Sequence, residues 1–85
     1  MKIDEIEGRL RQLVSQLAPK LTETDLATIE DFMSVGQWGS AFTTLCAQLD
    51  DSQVALPPAI YYEIAAVGSF IGIEDTAWKS LVVKA

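Results

Sequence analysis

An all-α fold, a small bundle of four helices closed by a short fifth at the C-terminal end, is what this sequence predicts, on three observations. Apolar residues recur at steps of three and four in four separate segments. Helix punctuation stands between those segments: Pro19, Gly36, the neighbours Pro57 and Pro58, and Gly72. No run alternates β-branched and polar residues as a half-buried strand would. With 49% apolar residues, a chain of 85 has enough for one hydrophobic core, so residues 1–85 read as a single domain rather than as disorder.

The first helix is expected over about residues 2–18, with Ile3, Ile6, Leu10, Leu13, Val14 and Leu17 on one face and Pro19 as its stop. Glu5 and Arg9, and Glu7 and Arg11, stand at i,i+4 in the favourable order, so this helix is expected to neutralise much of its own charge. Thr22 then reads as an N-cap in the box 22-TETD-25, with Leu21 and Leu26 as its hydrophobic staple. Helix two buries Leu26, Ile29 and Met33, with Phe32 at its edge, and Gly36 suits the left-handed residue that ends it.

Helix three, about residues 37–49, carries Trp38, Ala41, Phe42, Leu45 and Leu49 inward and no charge on any side. A helix uncharged all round is expected to be flanked by neighbours on more than one side. Its small outer face, Ser40, Thr43, Thr44 and Ala47, leaves a docking surface as the other reading. Gly39 costs about 1 kcal/mol in helix propensity, and close approach to a neighbouring helix is the expected reason for it. A loop, 50-DDSQVALPP-58, leads to helix four, about residues 58–71, with Ile60, Ile64, Val67 and Ile71 on one face and Tyr62, Ala66 and Phe70 on another. Gly72 ends it. Asp75 is then expected to cap the fifth helix, which packs back through Trp78, Leu81 and Val82. The core named from these patterns is Leu13, Ile29, Phe42, Leu45, Leu49, Ile64 and Leu81.

Charge is distributed unevenly. All six basic residues lie in 2–20 or 79–84, whereas Leu21 to Trp78 holds nine carboxylates and no base. Such a field repels nucleic acid and anionic membranes and attracts basic partners; the plainer reading is that it keeps a small domain in solution. Catalytic, cofactor and metal sites are not expected. The chain has no histidine, no CxxC, no phosphate-cradling glycine loop, and no calcium-loop spacing in 50-DDSQ-53. Cys46, mid-helix and without a histidine, reads as an inert core thiol. A lone cysteine, a charged start at 1-MKIDEIEGRL-10 and no apolar run long enough for a bilayer point to a soluble cytoplasmic domain.

The segment 36-GQWGSAFTTLCAQL-49, followed by 61-YYEIAAVGSFIGI-73 and 78-WKSL-81, resembles the MafI-type immunity proteins of bacterial polymorphic toxin systems. The likeness spans roughly residues 26–81 and is most specific from Gly36 to Leu49; it departs at Gln37, where the family pattern has Glu. The resemblance implies an antidote without catalytic activity. It would bind a cognate toxin domain, often a nuclease delivered by contact-dependent growth inhibition, and cover its active-site or exosite surface. Two other classes stay open: a helical adaptor or regulatory subunit, and a small acidic carrier modified at Ser52.

If the partner is a basic toxin domain, the candidate binding residues are Asp50 and Asp51 on the loop after helix three, then Glu30 and Asp31, with Tyr62 and Phe70 as aromatic anchors. The pair Asp50 and Asp51 is singled out because carboxylates at a helix C-terminus oppose its dipole, so they do not serve the helix itself. Tyr62 and Phe70 have a competing reading, in which the fifth helix covers them.

Overall fold

The computed structural model describes residues 3–84, the side chain of Ile3 excepted. Lys2 and that side chain, expected at the start of helix one, lie outside the described residues. Four α-helices follow in order: α1 Ile3–Leu17, α2 Glu23–Ser34, α3 Trp38–Asp51 and α4 Pro58–Ile71. A 3-10 turn, Ala18–Lys20, follows α1, and another, Asp75–Ala77, follows α4. The all-α class is therefore as the sequence predicts. No described helix is long and apolar enough to cross a membrane.

Local chemistry sets most helix ends. Pro19 lacks the N–H to continue an α-helix but tolerates a 3-10 turn, so the chain carries on through Ala18–Lys20 before leaving α1. The Asp25 N–H donates to Thr22 Oγ1 at 3.1 Å, which caps α2. Past its end, the Gly36 and Gln37 N–H groups donate to the Met33 and Phe32 carbonyls at 3.1 and 2.8 Å. That pair of bonds requires the positive φ of 75° at Gly36. Gly72, φ 92°, closes α4 in the same manner through bonds from Gly72 and Ile73 back to Ser69 and Gly68.

α2 packs along α3 and α1 along α4, while α3 also touches α1, α4 and the second 3-10 turn. The helix that is uncharged from Trp38 to Leu49 is thus the one with neighbours on several sides, and Ala41, Phe42, Leu45, Cys46 and Leu49 are all buried on it. Every residue named for the core is buried. Burial pushes the Cys46 thiol up to about 12, leaving it un-ionised at neutral pH and unreactive.

Tertiary structure overrules the sequence at several points. The short fifth helix is only the single 3-10 turn Asp75–Ala77, started at Glu74 and with no side-chain cap from Asp75. Beyond it, Trp78 and Leu81 are buried while Val82 is exposed. Residues 82–84 run extended beside Leu56: the Leu56 N–H donates to Val82 O at 2.9 Å and the Lys84 N–H to Leu56 O at 2.8 Å. The β-branched neighbours Val82 and Val83 favour that extended backbone over another helical turn.

The close approach expected at Gly39 is found at Gly68 instead. A Cβ on Gly39 would meet only Ile73 and Ile71 side chains at 3.7 and 3.9 Å, ordinary contact. A Cβ on Gly68 would lie 2.4 Å from the Trp78 ring and 2.7 Å from Phe42, the two rings packed edge to face with centroids 5.8 Å apart.

Charge neutralisation also differs from the expectation. Glu7 pairs with Arg11 at 3.2 Å as expected. Arg9, however, makes a two-pronged salt bridge across to Glu63 on α4, with Nε donating to Oε2 at 2.7 Å and a second bond from Nη2 to Oε1. The hydrogen bonds from Arg9 hold the Glu63 carboxyl below the usual carboxylate range, against desolvation that raises it. The sign of the linkage follows: this pair contributes fully above the unfolded carboxylate pKa of about 4.3, and its contribution is lost as pH falls through the lower folded value. Because both side chains are about one-third exposed, the contribution is small. The stability gap between wild type and Glu63→Gln is expected to shrink as pH drops below about 4, read from urea midpoints across pH.

Candidate functional site

The candidate site is an acidic surface, and pairing decides how much of it is available. Of the nine carboxylates between Leu21 and Trp78, only Glu63 forms a salt bridge among the described residues. Glu23, Asp25, Glu30, Asp31, Asp50, Asp51, Glu74 and Asp75 have no cationic partner there, and all but the half-buried Asp25 and Asp50 are exposed. Both arginines are engaged elsewhere, Arg11 within α1 and Arg9 on α4.

Asp50 and Asp51 are not on a loop. Both belong to the last turn of α3, which has no basic residue there to answer the dipole. The helix runs two residues further than expected because the chain keeps making backbone bonds past Leu49, the Ser52 N–H to Gln48 O at 3.0 Å and the Gln53 N–H to Asp50 O at 3.1 Å. Gln53, at a positive φ of 50°, then turns the chain and returns its side-chain amide to Asp50 O at 2.7 Å. The Asp50 carboxylate accepts a long bond, 3.4 Å, from Ser80 Oγ, whereas Asp51 faces water.

Glu30 and Asp31 are exposed on α2. Glu30 borders a concavity of about 280 Å³ between α1 and α2, together with Arg11 and Met33. Tyr62 and Phe70 are not covered by the C-terminal segment: Tyr62 is 69% exposed and Phe70 43%. Tyr62 rests its ring edge-on against Tyr61, centroids 6.1 Å apart. The six residues therefore lie on three different helices, and among the described residues no hydrogen bond or ion pair joins any of them across elements to another.

Phe70 borders a further feature that the sequence reading missed. A shallow concavity of about 520 Å³ lies where α2 ends, α3 begins and α4 ends, lined by Ile6, Val35, Trp38, Gly39, Phe70 and Ile71, with Gly36, Gln37 and Ser40 at its edge. Val35 is 71% exposed, and Trp38, expected to be buried, is half-buried here. Gln37, the point of departure from the family pattern, is the N-cap of α3; its side-chain oxygen accepts from Ser40 Oγ at 3.4 Å and gives the helix no cap.

Among the described residues no three side chains of the metal-ligating kinds come together, and the buried polar groups of side chains are all satisfied. What the surface offers is acid and exposed apolar area. No family model, curated protein or solved structure matches the chain.

Proposed function

We propose that this chain is an immunity-type antidote that binds a basic toxin domain, a nuclease in the first instance, in the cytoplasm and blocks it without catalysis. The observation that carries the reading is the surface of one sign between Leu21 and Trp78, where eight carboxylates stand without a cationic partner among the described residues. A nuclease grips phosphates with a basic surface, and an acidic protein of this kind competes for it by charge and bulk. Exposed Tyr62 and Phe70 supply apolar area that charge alone lacks. The resemblance of residues 36–49 to immunity proteins supports the same class.

The gene immediately upstream is expected to encode the toxin, and co-expression is expected to protect cells from it. Association with the purified toxin domain is expected to slow as salt is raised. Replacing Asp50 and Asp51 by lysine is expected to slow association at low salt by about tenfold while leaving the melting temperature unchanged or slightly higher, since the α3 dipole is then better matched. Reversing Glu30 and Asp31 gives the comparison for the α2 side. Association indifferent to salt and to both reversals would sink the electrostatic reading.

A further inference from the structure

We infer that the concavity between Val35, Trp38 and Phe70 seats an apolar side chain of a basic polypeptide, and so forms the anchor point of the partner. The inference rests on the reading that the partner is basic, and adds where and by what chemistry it is held. Two large apolar side chains far apart in sequence, Val35 and Phe70, are left exposed at one depression that the Trp38 indole also lines. Apolar area concentrated in a concave site is where a partner's anchor gains most from leaving water.

Charge selects the occupant. None of the residues lining the depression is charged. Beside it Asp31, one turn before Val35 on α2, is exposed and has no cationic partner among the described residues, and the other carboxylates of the stretch Leu21 to Trp78 share that stretch with no base. A second copy of this chain, of net charge −6, would bring the same carboxylates against these. A segment carrying lysine or arginine beside a leucine-sized side chain meets both the rim and the floor.

The test uses two synthetic peptides, a 14-residue amphipathic helix of leucine and lysine and an all-lysine peptide of equal charge, titrated into the whole protein at low salt. The two tryptophans report by NMR, Trp38 from the depression and Trp78 from the core. The leucine–lysine peptide is expected to shift the Trp38 indole N–H and the Val35 and Phe70 amides saturably, and to leave the Trp78 indole in place. Val35→Ser with Phe70→Ser is expected to weaken that peptide by about tenfold and leave the all-lysine peptide's affinity unchanged. Both sites are exposed; if the pair perturbs the melt, Val35→Ser alone serves, at 71% exposure. Shifts confined to the Asp50 and Asp51 end, or an affinity indifferent to the serines, overturn the anchor site and leave the basic-partner reading standing. Failure of both peptides to bind overturns both. Movement of Trp38 on raising protein concentration alone makes a second copy the occupant and also overturns the inference.

Discussion

Replacing Gly68 by alanine is expected to destabilise this protein by about 3 kcal/mol, although alanine is the better helix former. The new methyl would sit 2.4 Å from a Trp78 ring atom and within 2.9 Å of two atoms of Phe42. Neither ring can step aside: Phe42 is fully buried and Trp78 nearly so, and each is held edge to face against the other. Relief requires α4 to move off α3 and the Trp78 segment, opening space elsewhere. Alanine's gain of about 1 kcal/mol in helix propensity does not offset that. Gly39→Ala is the control. Its methyl finds only ordinary contact with Ile73 and Ile71, so it is expected to raise stability by up to about 1 kcal/mol. Urea midpoints for the two variants should therefore move in opposite directions. A Gly68→Ala midpoint at or above wild type would mean that α4 does not approach those rings so closely.

Leu45→Ala is expected to cost about 2–5 kcal/mol, from lost burial and the cavity left behind. Leu45 is wholly buried on the helix that touches all three others, so no single neighbour can relax into the gap. A domain of this size has only about 5–10 kcal/mol in total, so the variant is expected to lose a large fraction of its stability and to melt well below wild type. A melt within a degree or two of wild type would take α3 out of the centre of the bundle. The two variants probe opposite errors of packing in one core, overfilling between α4 and the aromatic pair and underfilling on α3.

Much of the architecture was legible from the sequence, for a reason that the individual helix ends make plain. Thr22, Gly36 and Gly72 act through bonds to residues within one turn, and Pro58 through its own fixed φ at the start of α4, so each could be read where it stands. Core membership was legible too, because a period of 3.6 places Leu13, Ile29, Leu45 and Ile64 on inward faces whatever lies opposite. The acidity of the middle of the chain needed only counting.

What required the tertiary structure was every statement about which side chain meets which across elements. Arg9 has Glu5 one turn away, yet makes its two-pronged bridge with Glu63, 54 positions on, because α1 lies along α4. That choice decides which of the nine carboxylates is neutralised. Gly39 and Gly68 look alike in sequence, and only the positions of Trp78 and Phe42 tell them apart. The C-terminal segment gives up a helix for pairing with Leu56, and so leaves Tyr62 and Phe70 in the open. The depression between Val35, Trp38 and Phe70 exists only because three helix ends meet. Bonds within a turn and the helical period are properties of the local chain. Distances between helices are set by how the whole core packs, and the partner-facing surface is made of those distances.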